Sequence, residues 1–162
     1  MPFISLTRLR TRSIRFLPLF LLHAFRSRNQ VRRAPGFQTG ALLPDKDWTF
    51  WTMTAWDSQE SMRQFMLSGF HKAAMPHLVD WCDEASVAHW TEPDTPHPIP
   101  DTAHPIPDTR HPTPDTLPSW SEADQRMRSS GRPSKVKHPS PNHATLAYKA
   151  PRTTRSAPIT RA

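Results

Sequence analysis

Three tandem heptads, DTPHPIP, DTAHPIP and DTRHPTP, run over residues 94–114 and close on Asp115 and Thr116. Alternate prolines fix φ and remove backbone donors, so neither an α-helix nor a central strand can pass through this stretch. Residues 93–118 therefore read as an extended, polyproline-like or disordered insertion, and any core must come from the rest of the chain. The 19 prolines crowd towards this segment while only 4 glycines are present, so about two thirds of the 162 residues are left to pack as one domain. His97, His104 and His111 recur once per heptad, but about 22 Å of extended chain separates each pair, so no shared metal ion is expected. Deletion of residues 94–115 is expected to leave the melting temperature nearly unchanged.

Before the insertion the periodicity is regular. Residues 2–12 alternate, with Phe3, Ser5, Thr7 and Leu9 on one side and Ile4, Leu6, Arg8 and Arg10 on the other, which predicts a strand. Leu17, Leu21 and Phe25, flanked by Phe20 and Ala24, predict the apolar face of a helix over 16–33, with Pro18 in its first turn and Pro35 and Gly36 after its end. Residues 37–43 and 49–56 are β-prone runs joined by a turn at Pro44, Asp45, Lys46 and Asp47, and read as an antiparallel pair. Asp57 and Glu60 resemble a capping box opening a second helix through Met62, Phe65, Met66, Gly69 and Ala73, which Pro76 breaks or kinks. Residues 85–90 form a last strand. The order is βαββαβ, an α+β ferredoxin-like sheet with helices on one face over residues 1–92. Its other face would be apolar and bare, and a partner sheet from a second subunit would cover it, predicting a homodimer. Ser119 to Glu122 open a further short helix, so residues 119–143 return to the same domain, and residues 144–162 read as a disordered basic tail.

Charge is segregated. The first 44 residues carry eight arginines and no acid, and residues 45–92 carry eight acids against three bases. That arrangement suits attraction within a fold, between subunits or to an anionic ligand. Nucleic acid is not favoured, because the arginines alternate with apolar residues and no nucleic-acid module accompanies them. A single cysteine, Cys82, excludes an internal disulfide and a multi-cysteine zinc site, in keeping with a cytoplasmic protein. The run FLPLFLLHAF at 16–25 has ten residues where a spanning helix needs about 20, so it reads as core and no transmembrane segment is expected.

No P-loop, G-x-G-x-x-G, G-x-S-x-G or H-E-x-x-H motif occurs. The remaining chemistry-bearing residues are His71, Met75 and His77 on the second helix, and tryptophans including Trp51, Trp56 and Trp90, which pack a core or line a cavity. Arg8, Arg10, Arg12 and Arg15 suit a solvated strand edge or a grip on a carboxylate at a cavity mouth.

The stretch FWTMTAWDSQESMRQFMLSGFHKAAMPHLVDWCDEASVAHW, with its aromatic strand, W-x-S-x-x-x-M/A-x-x-F and S-G-x-H, resembles a bacterial family of unknown function in the antibiotic-biosynthesis-monooxygenase superfamily. It is distantly similar to spheroidene monooxygenase. PFISLTRLRTRSIRFLPLF, SWSEADQRM and GRPSKVKHPSP fit the same family, while the heptads and the tail fall outside it. The resemblance implies a dimeric α/β barrel, and the superfamily includes cofactor-free oxygenases, haem-degrading monooxygenases and proteins of no known activity. Aligned on the haem-degrading pattern through Trp56 and Ser68, this chain has Phe65 in place of a tryptophan and Met75 in place of the haem-ligating histidine. His71, one turn earlier, is the substitute ligand that helix geometry offers.

Three functional readings follow. The first is a monooxygenase-like enzyme oxidising a hydrophobic substrate, with His71 and Trp56 catalytic and Trp51, Phe65, Met75, His77 and Trp90 around the cavity. It uses either no cofactor or haem. The second is a non-catalytic dimer holding a hydrophobic small molecule such as haem, and the third is a basic-surface adaptor for an acidic partner or a membrane surface.

Overall fold

The computed structural model describes residues 1–93 and 117–162, and the heptad repeat with its expected disorder lies outside the described residues. The alternating N-terminal run forms β1 (Phe3–Thr11), and a short helical turn (Ile14–Phe16) leads into α1 (Leu17–Val31). β2 (Phe37–Asp45) and β3 (Thr49–Trp56) follow as a hairpin, then α2 (Gln59–Met66), α3 (Gly69–Trp81) and β4 (Cys82–Thr91). Beyond the repeat come α4 (Trp120–Ser130), β5 (Arg132–Pro133) and β6 (Ala157–Ile159). The sheet order is β5-β4-β1-β3-β2-β6, and every pairing is antiparallel. Its four long strands give the ferredoxin-like α+β arrangement with β1 and β3 central.

α1, α2 and α3 cover one face. Phe3, Phe37 and Trp56 of the sheet meet Val31, Ala34 and Met62, while Leu9 and Phe50 meet Phe20, Trp81 and Cys82. The other face carries Ile4, Leu6, Leu43, Trp51, Met53 and Trp90, and its cover comes from the same chain: Trp120, Ala123 and Met127 of α4, with Tyr148. The partner sheet inferred from a bare face therefore loses its premise, because the C-terminal segment shields that apolar surface from water. The sheet is open and does not close into a barrel within the chain.

The reading of residues 144–162 as a disordered tail is likewise corrected. Tyr148 is buried against Trp51, Ile159 is buried on the helix side, and β6 extends the sheet by pairing with β2. Two anchors eleven positions apart hold the segment without any apolar period.

Three local expectations also change. Ser58, not Asp57, caps α2, its hydroxyl accepting from the Ser61 N–H at 3.2 Å. The helix breaks at Leu67 and Ser68, while Pro76 lies inside α3. In α1 the buried residues are Phe20 and Val31, whereas Leu21 and Phe25 are 45% and 57% exposed. The first half of α1 is apolar nearly all round, so the sequence offers two candidate stripes and packing selects the one through Phe20.

Cys82 lies in the core at the start of β4, and burial pushes its thiol pKa up to about 12. The native protein is accordingly expected to resist alkylation at pH 8 and to be labelled in step with unfolding. A thiol modified at the rate of a free cysteine in native buffer contradicts this burial.

Candidate functional site

The S-G-x-H motif forms the joint between α2 and α3, and Gln30 of α1 clasps it. The Gln30 amide nitrogen donates to the Ser68 carbonyl at 3.0 Å, and its oxygen accepts from the His71 N–H at 3.0 Å. Gly69 takes φ +53°, a left-handed conformation, and a β-carbon there would stand 2.9 Å from the Gln30 amide. The left-handed turn is what favours glycine here, and a side chain would in addition push the Gln30 amide out of the clasp.

His71 lies in the first turn of α3. Its Nδ1 lies 3.3 Å from the Met66 carbonyl, an acceptor only, so Nδ1 carries the proton and donates. That tautomer leaves the Nε2 lone pair free to accept a proton. Burial lowers the pKa of the imidazole, outweighing the opposing Met66 hydrogen bond, so the ring is neutral at pH 7. The ring packs on Phe65 at 4.7 Å between centroids, and Phe65 packs on Trp56 at 5.3 Å. A row of three rings therefore runs from the core to the joint. Trp56 is only 1% exposed and its Nε1 donates to the Thr54 hydroxyl at 2.9 Å, so it backs the row as a wall.

The other candidate residues lie elsewhere. Trp51 and Trp90 are across the sheet, Trp51 under Tyr148 and Trp90 beside Arg126. His77 is exposed and stacked on Trp81 at 4.9 Å. Met75 is 42% exposed while its neighbour Ala74 is buried. The position that the resemblance makes a haem ligand thus faces outward, and the helix side beneath α3 is filled by Phe20, Trp81 and Cys82. The residues present do not fit a haem.

Sequence reasoning missed a second cluster, on the face under α4. Arg8 is not at a solvated strand edge; it lies on the central strand β1, 6% exposed, with Nη1 donating to Glu84 at 2.5 Å. Glu84, 3% exposed, also accepts from the Ser140 hydroxyl at 2.7 Å. Arg10 grips Asp83 through two nitrogens at 2.9 and 2.8 Å, which raises its pKa. The guanidinium carbons of Arg8 and Arg128 both lie over the Tyr148 ring, at 4.0 and 4.6 Å from its centre. Arg8 shares one alternating face with Ile4 and Leu6, and that was the available signal of its burial. A separate surface cleft of about 420 Å³ beside α4 is lined by Glu92, Gln125, Arg126 and Ser129, and holds none of the candidate residues.

The antiparallel βαββαβ sheet with helices on one face matches known structures. A putative antibiotic biosynthesis monooxygenase from Nitrosomonas europaea superposes with a TM-score of 0.52 at 11% identity, covering 57% of this chain and 91% of that one. The fold is that of the antibiotic biosynthesis monooxygenases. Rv0793 from Mycobacterium tuberculosis aligns at a TM-score of 0.52 and 12% identity, over 59% of this chain and 98% of its own. Another antibiotic biosynthesis monooxygenase aligns at 0.51 and 10%, over 56% and 97%. No family model and no curated protein matches the sequence. Among the described residues, no helix is long and apolar enough to cross a membrane.

The two perturbed histidines give a pH signature. Burial lowers the pKa of His71, and burial with the nearby Arg132 charge lowers that of His89, both from an ordinary 6.5. Above 6.5 both rings are neutral whether folded or unfolded, and their full contribution is present. As pH falls below about 6.5 the unfolded chain takes up protons first, and stability drops until the folded pKa values are passed. The midpoint of urea unfolding should therefore fall from pH 7 to 5, and fall less in a His71→Gln, His89→Gln variant. An equal fall in both proteins contradicts the assignment.

Proposed function

We propose that the protein is an oxygenase-type enzyme acting on an apolar small molecule that carries an acidic phenol or enol, with His71 as the base. The observation that carries this reading is the neutral His71 ring, its Nε2 lone pair free and its face set on the Phe65 and Trp56 row. An apolar ring stacks beside Phe65, and His71 takes the phenolic or enolic proton. The resulting electron-rich anion reacts with dioxygen itself, so that a methylene and O2 become a carbonyl and water. The monooxygenase-like fold supports the reading. Trp56 acts as the wall behind Phe65, and Gln30 and Gly69 position the histidine.

Oxygen uptake with an anthrone as probe tests it. The wild type should consume oxygen with a rate that rises as His71 deprotonates, and His71→Gln should lose roughly a hundredfold or more. Undiminished uptake in His71→Gln removes His71 as the base. Quenching of tryptophan fluorescence by the probe with no oxygen uptake favours the non-catalytic binding protein instead.

A further inference from the structure

We infer that the outer face of α1 docks the protein on an anionic lipid bilayer. Leu19, Leu21, Leu22 and Phe25 are all exposed on this one helix, and Ile14 is exposed in the turn before it. Large side chains left in water within four turns of helix are unusual on a soluble surface and mark a contact site. Phe70 of α3 is also exposed, and the Arg26 guanidinium of α1 lies 5.7 Å from its ring centre.

The charge around the face decides what covers it. No acid occurs between Met1 and Pro44. Exposed Arg15 and Arg26 bracket the apolar residues along the chain, with half-buried Arg28 and exposed Arg33 beyond them, and none of the four makes an ion pair among the described residues. A second copy meeting the face about a two-fold axis would set these arginines against their own equivalents. A bilayer surface bearing anionic headgroups supplies both what the leucines and phenylalanine need and what the arginines lack. α1 then lies in the plane of the interface with Leu22 and Phe25 inserted, while its Phe20 and Val31 face stays on the sheet. The inference is independent of the reaction proposed above, since neither His71 nor the Phe65 row takes part in the contact.

Vesicle co-sedimentation tests it. The full chain should bind phosphatidylcholine vesicles containing phosphatidylglycerol, bind pure phosphatidylcholine far less, and release as salt is raised. A Leu22→Glu, Phe25→Glu variant should lose at least tenfold in partitioning. An Arg26→Gln variant should lose roughly fivefold, as expected for one surface cation. All three positions are exposed, so circular dichroism should confirm that the variants fold. Absence of binding to anionic vesicles at low salt overturns the proposal. So does unchanged binding by the double glutamate variant, or a dimer in light scattering that the same variant converts to monomer, since a second copy would then own the face.

Discussion

Truncation after residue 143 should unfold the protein at room temperature. The lost segment carries Tyr148, which seals Trp51 and Leu43 on one face, and Ile159, fully buried beside Phe37 and Trp56 on the other. It also removes β6 and its pairing with Gly40, Ala41 and Leu42. Deleting one large buried side chain costs about 2–5 kcal/mol, and two such losses together rival the about 5–15 kcal/mol that holds a whole domain folded. The single variants keep the test quantitative. Tyr148→Ala and Ile159→Ala should each lower stability by about 2–5 kcal/mol in urea denaturation. The sites lie on opposite faces of the sheet, so the two effects should add. A disordered tail would leave all three proteins as stable as the full chain.

Glu84→Ala should be the most damaging single substitution of a charged residue. Its carboxylate sits between Arg8 and Arg10 and takes the Ser140 hydroxyl, all under α4 and the loop after β5. Removing it strands the Arg8 guanidinium in a site that is 6% exposed, at a cost of about 3–5 kcal/mol. The loss comes from an unpaired buried cation more than from the pair's own attraction, and this makes a second, sharper expectation. Arg8→Met combined with Glu84→Ala should be more stable than Glu84→Ala alone, because the stranded charge is gone. If the double variant is the less stable of the two, the buried pair itself is the stabilising element. Arg10 and Asp83, partly exposed and bidentate, should contribute less, about 1 kcal/mol or below.

The core topology was legible because each element carries its own period and stop. β1 alternates, Pro35 and Gly36 end α1, and the hairpin turn separates two β-prone runs, so the βαββαβ order follows from local signals. What lay beyond reach depends on contacts distant in sequence. Nothing in residues 144–162 alternates or repeats, yet Tyr148 finds Trp51 and Ile159 finds Phe37 across about a hundred positions or more. The apolar residues of α1 permit two faces, and only the sheet decides between them. Pro76, the familiar helix breaker, predicts a break or kink in the second helix, whereas the left-handed Gly69 marks the joint. That glycine stands out in the sequence within S-G-x-H, but its clasp by Gln30 leaves no local signal, because Gln30 lies one helix earlier. Of the two residues read as catalytic and the five read as cavity-lining, His71, Phe65 and Trp56 pack in one row, while Trp51 and Trp90 are separated from them by the thickness of the sheet.

The proposed chemistry requires a neutral His71 with its proton on Nδ1, and nitrogen-15 NMR of the imidazole across pH 4 to 8 measures that directly. The structure predicts the Nδ1–H tautomer at pH 7 and a titration below the ordinary value of 6.5. A ring carrying its proton on Nε2 at pH 7, or titrating above 6.5, would contradict it.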